Sequence, residues 1–157
     1  MRSVPALIVA LLAACTTQPP PPPTEAEARA FLEVIVETAL TEDLNALCDL
    51  GGGSCNEFIQ ESGGPDVPLD PPTVVGTRRV EQETGGPRPR TGGYVLELCG
   101  RNAAGDLYYS ELLVFRDFGG ELRSIEPVYW MGITITDDDT TGRDPEQSSE
   151  RCADVAG

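Results

Sequence analysis

The chain has 157 residues, 11 basic and 26 acidic side chains, a formal net charge of -15, no histidine, 17 glycines and 14 prolines. This length fits one domain, and a hydrophobic fraction of 39% is enough for one core. Every basic residue is arginine. The excess of acid excludes a phosphate-neutralising face and with it nucleic acid, and the missing histidine excludes His-based triads and His-ligated metal sites.

Residues 1–14 read as an export signal. Arg2 supplies the positive start, and Val4 to Ala14 form an apolar run too short for a bilayer core that takes about 20 residues. Leu12-Ala13-Ala14-Cys15 resembles the bacterial lipobox, with Pro5 and a single arginine as mild departures from the pattern. The resemblance implies cleavage before Cys15 and its diacylation. Two acyl chains hold stably where one is marginal. The expected location is the extracytoplasmic face of a cell membrane. Losing Arg2 leaves the mature chain more acidic than -15, so attachment must come from lipid and not from attraction to anionic headgroups.

Residues 15–23 end in Pro19 to Pro23, which favour polyproline II and make a short semi-rigid stalk. Thr24 and Glu27 form a capping box. Ala28, Phe31, Leu32, Ile35, Val36, Ala39 and Leu40 recur at helical spacing. Thr41-Glu42-Asp43 caps a second helix carrying Leu44, Leu47 and Cys48, which Gly51-Gly52-Gly53 ends. Ser54 can cap a third, through about Glu61. After a turn-rich loop the period becomes two. Val74 to Glu83, Tyr94 to Arg101, Leu107 to Arg116 and Leu122 to Trp130 each read as strands. The turns at Asn102 to Gly105 and Phe118 to Gly120 suit hairpins, so the sheet is an antiparallel meander.

If Asn102 pairs with Asp106, then Tyr94, Leu96 and Leu98 share a face with Tyr108, Leu112 and Val114 and meet the helices. Val95, Glu97, Cys99 and Arg101 lie opposite with Tyr109, Glu111, Leu113 and Phe115, a mixed face that is partly wet or covered. Residues 136–157 are acidic and by composition alone would be disordered.

Setting Cys15 aside leaves Cys48, Cys55, Cys99 and Cys152, an even count that points to disulfides in an exported domain. Of three connectivities we favour Cys48–Cys55, whose approach needs little chain closure, leaving Cys99–Cys152 to pull the tail across the far side of the sheet. Separations this wide give no pair suited to zinc. Asp137-Asp138-Asp139-Thr140-Thr141-Gly142 resembles the start of an EF-hand loop, but the twelfth position is Ser148 and not a bidentate glutamate, so a solvated turn is the reading. No metal and no cofactor is expected.

The fold class is α+β, with N-terminal helices on a four-stranded antiparallel meander. Phe31 to Leu50, with its polar break at Thr41-Glu42-Asp43 and resumed Leu44-Asn45-Ala46-Leu47, resembles a nuclear-transport-factor-2-like (cystatin-like) domain, and the strands from Val74 to Trp130 extend the likeness over residues 24–135. Lipobox, stalk and this domain together resemble envelope lipoproteins of high-GC bacteria. The resemblance implies a sheet wrapped into a cone-like cavity, used in some members for isomerase or dehydratase chemistry and in many for binding. For catalysis of ketosteroid-isomerase type, Tyr94, Tyr108, Tyr129 and Trp130 would line the cavity, and Glu111 or Glu126 would supply a carboxylate. The plainer reading makes the aromatics core and the carboxylates solvated. The functional expectation is a non-catalytic module for an envelope protein or a small apolar ligand. The alternative is an envelope isomerase or hydrolase.

Overall fold

The structure, a computed structural model, describes residues 19–51, 55, 67–82, 91–135, 141–143 and 150–155. The signal segment, Cys15, the third helix expected after Ser54 (apart from Cys55), residues 83–90 and the Asp137–Asp139 run lie outside the described residues. Residues 19–24 carry no regular secondary structure, and Pro23 is buried.

Helix α1 (Glu25–Leu40) starts as its capping box dictates. The Thr24 hydroxyl accepts from the Glu27 N–H, and the Glu27 carboxylate accepts from the Thr24 N–H at 2.8 Å. Ala28, Phe31, Leu32, Ile35, Val36 and Ala39 are buried. Leu40, counted in the same stripe, is instead 48% exposed. The helix ends there, where Glu42 takes a left-handed φ of 58° and its N–H donates to the Ala39 carbonyl. Helix α2 (Leu44–Asp49) is capped by the Asp43 carboxylate, which accepts from the Ala46 N–H, and buries Leu47 completely.

Four antiparallel strands follow in sheet order: β1 (Thr73–Val80), β2 (Gly93–Arg101), β3 (Leu107–Arg116) and β4 (Leu122–Ile125). Gly105 (φ 89°) and Gly120 (φ 86°) occupy the left-handed positions of the two tight turns, which only glycine takes without strain. The expected register holds. Arg101 pairs with Leu107, placing Tyr94 opposite Val114 and Leu96 opposite Leu112. Those side chains join Leu98, Tyr108 and the buried face of α1 in one core.

The fourth strand is shorter than its alternation suggests. It stops at Ile125, because Glu126 adopts a left-handed φ of 54° and Pro127 has no N–H to donate. Val128, Tyr129 and Trp130 are then buried consecutively in the helix-side core instead of alternating. From there the chain passes to the other face of the sheet. Strand β5 (Ile133–Ile135) lies beside β3 and pairs with β6 (Thr141–Arg143). Ile135 packs on Val95 and Leu113, and Cys152 on Cys99 and Tyr109. The mixed face is therefore partly covered, by Ile135 and by Cys152 from the segment 136–157 that composition alone would leave disordered. Residues 141–143 and 150–155 of that segment are placed, the latter ending in a 3-10 turn at Ala153–Val155.

Candidate functional site

The six residues expected to line one cavity divide between two faces and a turn. Tyr108, Tyr129 and Trp130 sit together in the helix-side core, with Tyr94 half-buried against it. The Tyr108 and Tyr129 rings lie 6.4 Å apart, and Tyr129 meets Trp130 edge-on at 5.0 Å, within the range of favourable aromatic pairs. Tyr108 leans across Gly100 so closely that a Cβ there would come within 2.4 Å of its hydroxyl. The Tyr108 and Tyr129 hydroxyls have no hydrogen-bond partner among the described residues. Burial raises both phenols, Tyr129 to about 12, so each stays protonated at neutral pH and could act as a donor but not as a base.

Glu111 does not share that space. It projects from the other face of β3, where its position in the alternation puts it with Tyr109 and Leu113. Its carboxylate is fully committed. Oε2 accepts from the Arg78 guanidinium at 3.1 Å and from the Ile135 N–H at 2.9 Å, and Oε1 accepts from the Tyr109 hydroxyl at 2.9 Å. Arg78 also donates to the Ile135 carbonyl. Arg151 stacks 4.8 Å above the Tyr109 ring and donates to its hydroxyl at 2.7 Å. This network fastens β1, β3, β5 and the tail to one another. Glu126 is half-buried at the left-handed turn that ends β4. The expected pairing of tyrosine and Glu111 in one cavity is thus corrected: a residue one step along a strand from its neighbour faces the other side.

Removing the carboxylate should leave Arg78, the Ile135 N–H and the Tyr109 hydroxyl without their shared acceptor. We expect Glu111→Ala to cost about 2–3 kcal/mol and Glu111→Gln, which keeps an acceptor oxygen, about half as much. Guanidinium unfolding followed by the single tryptophan, Trp130, measures both. Equal losses for the two variants would show that the acceptor geometry contributes nothing.

The cysteines pair as expected, Cys48 with Cys55 (Cα–Cα 5.3 Å) and Cys99 with Cys152 (Cα–Cα 5.6 Å). Cys55, Cys99 and Cys152 are buried.

The concave feature that the sequence reading missed lies on the outer flank of α1. A groove of about 480 Å³ runs between that helix and the entry to β1. Its apolar side is made by Leu32, Val36, Pro71, Pro72 and Val74, and its polar side by Arg29, Glu33 and Glu37. Its size falls within the range of ligand sites, about 300–1,000 Å³. The signal was present but shared out: two members of the buried stripe, two glutamates one turn apart, and a Pro-Pro pair thirty-odd residues away. Only the fold brings them together.

Comparison of the chain with protein-family models, with curated proteins and with solved structures finds no match.

Proposed function

We propose that this chain is a lipid-anchored extracytoplasmic protein whose α+β domain is a non-catalytic binding module. The observation that carries the anchor is Leu12-Ala13-Ala14-Cys15, followed after three residues by Pro19 to Pro23 and then by a domain whose four cysteines form two disulfides. Export to an oxidising compartment accounts for all three features together. Binding rather than catalysis is supported by how the candidate side chains are used. The aromatics pack against one another, and Glu111 is consumed by Arg78, Tyr109 and Ile135. A carboxylate base in an apolar cavity, as an isomerase of this kind needs, is not what Glu111 provides. The order of helix, polar break, helix and four-stranded meander is compatible with the nuclear-transport-factor-2-like resemblance. Binding modules are common among such domains.

The decisive experiment is mass spectrometry of the protein extracted from membranes, beside a Cys15→Ser variant. The expected result is a mature chain beginning at Cys15 with the added mass of a diacylglycerol, and a variant released to the soluble fraction. A mature amino terminus without that mass, or a Cys15→Ser chain that stays membrane-bound, overturns the anchor.

A further inference from the structure

The groove beside α1 adjoins an edge of the four-stranded sheet. β1 is an outer strand whose one pairing partner among the described residues is β2. Val75 on this edge is 40% exposed, and Leu69 just before it 87%. Val74 and Thr77 pair with Leu98 and Leu96, whose side chains belong to the helix-side core. A strand added outside β1 would therefore direct every second side chain to the same side, over the groove.

Charge says what kind of strand. On the groove's polar side Arg29 is turned to Glu25 at 3.0 Å. Glu33 and Glu37, one helical turn apart, have no ion-pair partner among the described residues, an arrangement that disfavours the helix by a few tenths of a kcal/mol until a cation arrives. The arginines of β1 itself are engaged, Arg78 by Glu111 and Arg79 by Glu81. A second copy is a poor occupant. It would bring another chain of charge -15 to the same edge.

We propose that the β1 edge and this groove bind an extended polypeptide segment that carries lysine or arginine beside aliphatic residues, added to the sheet as a fifth strand. The proposal rests on the binding-module reading but not on the lipid anchor, so failure of lipid attachment at Cys15 leaves its test readable. The aliphatic side chains enter between Leu32, Val36, Pro72 and Val74, and the cationic ones reach Glu33 and Glu37.

The test uses the full chain in detergent and two fluorescein-labelled octapeptides. One is Thr-Lys-Thr-Val-Thr-Val-Thr-Lys, and the other has glutamate in place of both lysines. Fluorescence anisotropy is expected to show the lysine peptide binding at least tenfold more tightly. Its affinity should fall about five- to tenfold in E33Q/E37Q and weaken with added salt. Both glutamates are exposed, so that variant stays folded. Amide chemical-shift changes should concentrate at Thr73 to Val80. Equal affinity for the two peptides, shifts away from β1, or sedimentation showing a dimer that excludes the peptide would each overturn the proposal.

Discussion

Replacing Cys99 and Cys152 together by alanine is expected to destabilise the domain by about 4 kcal/mol, against about 2.5 kcal/mol for the Cys48/Cys55 double variant. The difference follows from the loops they close. A separation of 53 residues restricts the unfolded chain far more than a separation of 7. The native state adds a second reason. Residues 150–155 are rich in charge and have little apolar surface of their own, so the tail has no strong reason to fold back without the covalent link. What it covers matters: Tyr109 is 1% exposed beneath Cys152 and the Arg151 guanidinium. With the bridge gone, an acidic tail on an acidic domain should lift. Guanidinium unfolding of each double variant, read by Trp130 fluorescence, gives the two losses. Trypsin provides an independent readout, since Arg151 should be cut quickly in the Cys99/Cys152 variant and slowly in the native protein. If the two variants lose the same stability, the long loop is already restricted in the unfolded chain and the argument fails.

Local signals made much of this architecture legible. The capping box at Thr24 and Glu27, the Asp43 cap and the two glycine turns each act within four residues, where side chain and backbone meet whatever the rest of the chain does. The β2–β3 register followed from the Asn102 turn, and the faces followed from the register. The long disulfide was legible by elimination.

What escaped the sequence depends on distant partners. The end of β4 is decided by a backbone dihedral at Glu126, a residue with no intrinsic need for positive φ, whose strain the burial of Val128, Tyr129 and Trp130 must offset. The course of β5 is set by side-chain acceptors on β3. The Ile133 N–H goes to the Ser110 hydroxyl and the Ile135 N–H to Glu111. Nothing in the composition of residues 131–135 announces that. Glu111 itself looked like a free carboxylate because two of its three partners are 33 residues before it and 24 after it. The groove was hidden for the same reason, being made from a helix and a Pro-Pro pair that touch only in the fold.

Alkali should unfold this domain abruptly. Tyr108, Tyr109 and Tyr129 are nearly inaccessible, and all three phenols are held above the ordinary tyrosine value of about 10. Burial is the leading cause in each. For Tyr109 the Glu111 carboxylate adds to it while Arg151 opposes, for Tyr108 the Tyr129 phenol adds to it, and Tyr129 itself is pushed up to about 12. A group that keeps its proton in the folded state and releases it in the unfolded state favours unfolding as pH rises. The contribution is therefore intact below pH about 10 and is withdrawn between there and the folded-state values. Each phenol removes about 1.4 kcal/mol per pH unit across that window, so three remove about 4. A domain of ordinary stability, about 5–15 kcal/mol, is exhausted within one to three such units. Tyrosinate absorbance at 295 nm should consequently rise steeply above pH about 11, together with the change in Trp130 fluorescence. The variants separate the contributions. The Tyr108 and Tyr129 hydroxyls have no partner among the described residues, so Tyr108→Phe and Tyr129→Phe should stabilise the domain by about 1 kcal/mol each at neutral pH and move the alkaline midpoint upward. Tyr109→Phe should do the opposite at neutral pH, because its hydroxyl joins Glu111 to Arg151. A gradual titration centred near pH 10, with Trp130 fluorescence unchanged, would mean that water reaches these hydroxyls and that the aromatic core is open where the structure shows it closed.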